Sequence, residues 1–517
     1  MSAFRVPRRP AASLLTAAVL FLLPIAVRLV PGPRTVDDAY ITFRYARNIL
    51  NGSGFVYNPG EHVLGTTTPL YTGLMALLAL PAGGPQAPFP LLALGVNALA
   101  DAITCLLLWD MGRRLFAPRV GMAAALLWAV APFSVTFAIG GLETSLYVCL
   151  LTGAAWAHMT GRRTLAAACA ALAILTRPDA LLLVGLLALD RAYLAWRRQE
   201  PLRLAELATF SLPLAAWGIF ATLYYGSPLP HSVAAKLAVY HLSAGEALVR
   251  LLQHYATPFF EYELFGPAGT AVGLILYPFL FWIGARKARQ AIPRLLPFIL
   301  YPWVYLIIFS LANPLIFRWY LTPPLPAYFF FILLGADTLL RQVLPRLLPG
   351  AAGQTAVSLL VLIALPLGFS LSQWERLPDH GPQRPAPKMA WIKLELLYQQ
   401  VAREIAPQMD GETVLAAGDV GVLGYYTPAR ILDTVGLNSP EALEYYPIDP
   451  QAYVINYAIP AGMVVNQQPG WLVFLEVYGR RTLLADPAFQ SGYTLWEDLP
   501  TDIYGSQAML VYRRNAP

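Results

Sequence analysis

Residues 11–30 read AASLLTAAVLFLLPIAVRLV, and after the four residues PGPR comes TVDDAYITFRYARN at 35–48. The first stretch is apolar over a length that crosses a hydrocarbon core of about 30 Å as a helix. The second is polar, charged and aromatic, and it places two acids, Asp37 and Asp38, just past the end of that span. Working outward from this boundary, the fold class is a set of helices in lipid with polar chemistry at their ends.

Composition agrees. Of 517 residues, 57% are hydrophobic and 13% charged, and the mean hydropathy is +0.52, outside the range of soluble domains. The 11–30 run is long and lacks a following small-residue cleavage site, so it reads as a span or signal anchor and not as a cleaved leader. A net charge of +6 is scattered between apolar segments and forms no face for nucleic acid. Cys105, Cys149 and Cys169 fall inside apolar segments and read as small core residues, with no disulfide or metal framework.

Basic clusters recur between alternate apolar runs: Arg5/Arg8/Arg9, Arg113/Arg114/Arg119, Arg162/Arg163, Arg191/Arg197/Arg198/Arg203, Arg286/Lys287/Arg289/Arg294 and Arg341/Arg346. The positive-inside rule makes these loops cytoplasmic. That predicts about eleven spans, near 11–31, 88–111, 120–139, 142–158, 164–177, 179–194, 204–224, 268–285, 293–312, 318–338 and 352–373, with the N-terminus inside the cell membrane and the C-terminus outside. The run Pro69–Leu80 is short and, counted as a span, would put Arg113/Arg114 outside; it reads as a helix in the outer interface. Two units follow: a membrane domain over 1–373, with a first outer loop at about 32–87, and an extracytoplasmic α/β domain over 374–517. In the latter, Trp391–Ile405 is an amphipathic helix and Thr413–Ala417 and Trp471–Glu476 are buried strands.

The polar outer loops hold the candidate site. If 38–48 is helical, Asp37 and Arg44 lie two turns apart on nearly one face, with Tyr40 and Arg47 on a related stripe, facing a water-filled cleft. An acid at the start of a helix is equally at home as a cap or in its first turn, so the residues alone leave capping and catalysis level. Glu61 and His62 follow a turn-rich stretch and could hold a hydroxyl; two adjacent ligands are a weak metal signal. Later loops add Glu143, His231, Lys236 and Arg318. Each cation alone reads as a snorkelling side chain. Together, acids in one loop and cations in others suit a substrate with a nucleophile at one end and a phosphate at the other.

The stretch Asp37-Asp38-Ala39-Tyr40-Ile41-Thr42-Phe43-Arg44-Tyr45-Ala46-Arg47-Asn48, continued by Asn58-Pro59-Gly60-Glu61 and Thr67-Thr68-Pro69-Leu70-Tyr71, resembles bacterial GT-C glycosyltransferases. That group includes protein O-mannosyltransferases, lipid A aminoarabinose transferases and mycobacterial terminal arabinofuranosyltransferases. Gly141–Thr144, Thr176–Asp179, Ser232–Lys236 and Gly418–Tyr426 also resemble its recurring segments. The resemblance implies a GT-C-like polytopic helical fold and a hexosyl- or pentosyltransferase that uses a polyprenyl-phosphate sugar. Its acceptor would be a hydroxyl on a glycan, lipid or protein. It further implies that a first-loop acid acts as base: Asp37 matches the leading acid and Asp38 the neighbouring place. A role for Arg44 rests on spacing alone. A carboxylate would take the acceptor proton while Lys236 and Arg318 meet the leaving phosphate, with inversion at the anomeric carbon. No cofactor is required, and the ligand set permits but does not demand a divalent metal. The competing class is a transporter or flippase, which requires ionisable residues near the bilayer midplane and related half-repeats; a non-catalytic scaffold would need neither acids nor cations.

Overall fold

The computed structural model describes residues 10–260, 266–376 and 381–515, with side chains from residue 13 on. The Arg5/Arg8/Arg9 cluster lies outside the described residues. Each predicted span falls on a helix or on a pair of consecutive helices: Pro10–Leu29, Phe89–Arg114, Pro118–Ile139, Thr144–Met159, Arg163–Thr176, Leu181–Trp196, Leu204–Tyr225, Gly266–Ala291, Pro293–Ala312, Arg318–Leu347 and Ala351–Leu371. Among the described residues, six of these are long and apolar enough to cross a membrane, and the pair Pro118–Val130 and Pro132–Ile139, bent by 45°, makes a seventh if it is one span. Pro132 causes the bend, since it cannot donate into the preceding turn and forces Ala131 to extended geometry (φ −57°, ψ 131°).

Two close contacts set the packing of the membrane helices. Gly284 and Gly335 let two helices meet backbone to backbone: a β-carbon on Gly335 would lie 1.8 Å from the carbonyl oxygen of Leu280. Arg28 and Asp101 form a fully buried ion pair at 3.0 Å. The Asp101 carboxylate also accepts from Trp128 and Ser145, both at 2.9 Å, while Arg28 donates to Ser134 and to the carbonyl of Ala129. Every oxygen of this acid is partnered, so the pair reads as a helix latch.

The C-terminal domain holds a two-residue ladder of β1 (Trp374–Glu375) with β2 (Ala386–Pro387) and a five-stranded mixed sheet. The sheet comprises β3 (Val414–Ala417), β4 (Arg430–Asp433), β5 (Trp471–Leu475), β6 (Tyr493–Pro500) and β7 (Ala508–Arg514), in the order β4-β3-β5-β7-β6. β4, β3 and β5 run parallel, and β7 and β6 complete the sheet antiparallel. β5, WLVFL, is buried at all five positions, as an apolar run in a sheet covered on both faces should be. Helix Lys393–Ile405 turns Leu394, Tyr398, Val401, Ala402 and Ile405 inward.

The first loop folds as helix Asp37–Leu50, a turn-rich stretch, and helix Pro69–Ala79. Tyr40, Phe43, Tyr45 and Tyr57 belong to the same hydrophobic core as the C-terminal sheet, and a second core is formed by the membrane helices. The first loop is therefore the foundation of the C-terminal domain. This corrects the expected water-filled cleft in part: Arg44 is covered by protein, whereas Asp37 and Asp38 border a cavity.

Candidate functional site

Asp37 opens the first-loop helix, and its carboxylate accepts from the backbone N–H of Gly421 at 2.8 Å and of Val422 at 2.7 Å. It thereby caps the start of helix Gly421–Tyr426 of the other domain. Glu395 returns the arrangement, accepting the N–H of Asp37 at 3.3 Å. The helix-cap reading of the acidic pair thus applies between domains and not within the helix, whose own N-cap, Val36, supplies no side-chain bond. Gly421 is required at the joint, because a β-carbon there would fall 1.7 Å from the Asp37 carbonyl oxygen.

Arg44 continues the joint. It donates to the carbonyls of Tyr57 at 2.8 Å, Ala429 at 2.9 Å and Gly424, and to Asn58 Oδ1 at 3.2 Å, with its guanidinium over the Tyr57 ring. Asn58 accepts the N–H of Ile431 and donates to the same residue's carbonyl, so its amide mimics one more strand along the edge of β4. Glu61 pairs with Arg430, Tyr40 packs against Tyr425 and Tyr426, and His62 stacks on Tyr224 at 4.2 Å. The structure places Arg44, Tyr40 and Glu61 in this joint, where the contacts described hold one domain against the other, whereas His62 ties the first loop to membrane helix Leu204–Tyr225. For Arg44, the expected partner in substrate binding is replaced by backbone carbonyls.

A cavity of about 1350 Å³ opens where the first loop, the membrane helices and the C-terminal domain meet. Of the sequence candidates, Asp37, Asp38 and Arg318 line it. Lys236 does not line it but is near enough to Asp38 for each to stabilise the other's charge, with its ammonium 5.3 Å from the centre of the ring of Phe317, which does line it. Glu143 does not line the cavity: it pairs at 3.0 Å with Arg177, which also holds Asp179 at 2.9 Å, and both Glu143 and Arg177 act on the charge of Lys236. His231 donates its backbone N–H to Leu64, and burial lowers its imidazole.

The C-terminal domain adds Trp391, Glu395, Asp419, Tyr457, Tyr478 and Tyr504 to the cavity. Asp419 follows β3 at the carboxyl end of the parallel strands, the edge where open α/β sheets bind ligands; a strand running into Gly418-Asp419 is a signal that could have found it. Its carboxylate accepts the hydroxyls of Tyr398 at 2.7 Å and Tyr478 at 3.5 Å. Glu395 carries no comparable signal, being one acid on an amphipathic helix. Burial pushes the Glu395 carboxyl up to about 7, helped by repulsion from Asp419 and Asp38. Burial likewise raises Asp419 to about 6, against the Tyr398 bond. Asp38 is raised by burial and pulled back by Lys236. Burial pulls the Lys236 ammonium down, but Tyr320 and Asp38 outweigh it and the net shift is upward. Carboxyls balanced this close to neutrality can take up and release a proton at physiological pH.

Two solved structures superpose on nearly the whole chain. ArnT from Cupriavidus metallidurans, crystallised with undecaprenyl phosphate, matches over 98% of this chain and 99% of its own, with a TM-score of 0.55 at 14% identity. The oligosaccharyltransferase of Archaeoglobus fulgidus, tethered to an acceptor peptide, matches over 98% of this chain and 74% of its own, with a TM-score of 0.52 at 12% identity. The chain has a GT-C fold. Within that fold, the terminal β-(1→2)-arabinofuranosyltransferase of Mycobacterium tuberculosis is 31% identical over 226 residues, 39% of this chain and 34% of that protein, so the aligned part spans about a third of that relative's length. Residues 389–512 match a domain of unknown function (DUF8728), which here contributes one wall of the cavity. Among the described residues, no group of three or more His, Cys, Asp or Glu side chains stands close enough to hold a metal ion.

Proposed function

We propose that this chain is an integral-membrane glycosyltransferase that moves a sugar from a polyprenyl-phosphate donor to an acceptor hydroxyl on the outer face of the cell membrane. The observation that carries the reading is the cavity itself. Its walls set Asp38 and the C-terminal carboxyls Asp419 and Glu395 together with the cationic Arg318, and Lys236 lies near Asp38. In this reading the acceptor oxygen attacks the anomeric carbon, the bond from that carbon to the phosphate oxygen breaks, and polyprenyl phosphate departs. The acceptor proton passes to a carboxylate, and the charge growing on the phosphate is met by Arg318 and Lys236. One displacement inverts the anomeric configuration. Asp38 is the preferred first-loop base, because both Asp37 oxygens already accept backbone N–H groups.

The fold of ArnT, a protein crystallised with undecaprenyl phosphate, supports this class of donor, and the arabinofuranosyltransferase match supports sugar transfer. The test is transfer from radiolabelled polyprenyl-phosphate pentoses and hexoses by purified protein in liposomes. Asp38→Asn and Asp419→Asn should each lower turnover about 10²–10⁴-fold, and Arg318→Ala should raise the donor KM. Wild-type turnover in both carboxylate variants would reject the assignment.

A further inference from the structure

The wall formed by residues 389–512 carries recognition chemistry that proton transfer alone does not account for. Glu395 borders the cavity with Oε1 held by the N–H of Asp37, while Oε2 is buried and has no hydrogen-bond partner among the described residues. Leaving such an oxygen unpartnered costs about 1–3 kcal/mol, and a ligand hydroxyl would supply the missing donor. Asp419 borders the same space, and neither acid joins an ion pair among the described residues. Trp391 lines the cavity half-buried. Tyr504 stands at its rim, 57% exposed, with φ 54° and ψ 23°. That is the left-handed region, which costs a bulky residue about 1–2 kcal/mol and in which strained side chains gather at ligand clamps.

A carboxylate oxygen that lacks a protein donor, a second carboxylate, one half-buried and one exposed aromatic ring, all bordering one cavity, match a polyhydroxylated ring. Its hydroxyls donate to the acids and its C–H face lies on the π surface. On this wall an acidic ligand would meet two carboxylates that no ion pair neutralises among the described residues, and a peptide would leave the aromatic faces without a ring to stack on. We propose that Trp391, Glu395, Asp419 and Tyr504 form a carbohydrate-binding subsite for a neutral glycan. That the bound glycan is the acceptor rests on the transferase reading; that this wall binds carbohydrate does not.

The experiment uses the full chain in nanodiscs. Binding of neutral arabinan, mannan and galactan hexasaccharides is followed by intrinsic tryptophan fluorescence and by saturation-transfer NMR. A hexagalacturonate and a serine-rich peptide serve as contrasting probes, and thermal unfolding is the folding control. Saturable binding of a neutral hexasaccharide is expected, weakened at least tenfold by Tyr504→Ala at unchanged unfolding temperature and by Glu395→Gln in protein that unfolds no earlier than wild type, and retained in Tyr504→Phe. The subsite is overturned if none of the three neutral probes saturates, if the variants bind as wild type, or if the galacturonate or the peptide binds more tightly. Glycan binding of the expected pattern in a protein that transfers no sugar from any polyprenyl-phosphate donor would end the transferase reading and leave the subsite standing. Transfer to a peptide or lipid without glycan binding would do the reverse.

Discussion

Replacing Asp37 by alanine removes the shared acceptor of two buried backbone donors, the N–H groups of Gly421 and Val422. Each orphaned donor costs about 1–3 kcal/mol; at the lower end of that range the two together weaken the joint by about 2–3 kcal/mol. With tenfold for every 1.4 kcal/mol, local opening becomes roughly 30- to 150-fold more frequent. Hydrogen exchange followed by mass spectrometry on peptides covering 418–426 reads that opening directly. The control is Asp38→Ala, which lies one position on, lines the cavity and accepts neither of these donors. It should abolish transfer while leaving protection at 421–422 unchanged, whereas Asp37→Ala loses both. Unchanged protection in Asp37→Ala, or equal loss in the two variants, would refute the division of labour between the acids.

Arg44→Ala should lower the unfolding temperature in detergent strongly, since the carbonyls of Tyr57, Gly424 and Ala429 lose a common donor; Arg44→Lys, without the planar fork, should not rescue it. Asp101→Leu leaves Arg28 charged and unpaired in the helix bundle and should cost about 3–5 kcal/mol, read as a loss of folded protein, with recovery in Arg28→Met/Asp101→Leu. Gly335→Leu should separate its helix from Leu280 and destabilise the bundle, whereas Gly218→Ala, with nothing within 4 Å, should leave thermal unfolding unchanged. For pH, the Glu395 carboxyl sits at about 7 in the folded chain against an ordinary 4.5, so the folded state binds the extra proton. Its contribution to stability is full below about 4.5 and lost as pH rises through about 7. Unfolding temperatures should therefore fall from pH 5 to 8, and less steeply in Glu395→Gln.

The legible features were those with a local cause. Apolar run length located the helices, the uninterrupted WLVFL announced a strand buried on both faces, and period 3.6 found helix Lys393–Ile405. Spacing even placed Asp37 and Arg44 on one face. What lies against that face was hidden, because most of its partners are backbone amides and carbonyls 380 to 385 positions away, and backbone groups have no sequence signature. The same blindness moved the preferred base from Asp37 to Asp38. Glu395 was invisible for a related reason: its raised affinity for a proton comes from burial and from neighbours on other elements, and none of that is written around position 395.

The joint at Asp37 also orders events during synthesis. The carboxylate and the amides it caps are 384 and 385 residues apart, so at about 5–20 residues per second the acid waits roughly 20–80 s for its partners to be made. Until Gly421 and Val422 have been translated, the cavity lacks a wall and the Asp37 carboxylate lacks the two amides it caps. A ribosome stalled before that point therefore leaves a chain in the bilayer that has its membrane helices but no assembled site. Assembly of the cavity thus waits on synthesis of the sheet-containing domain.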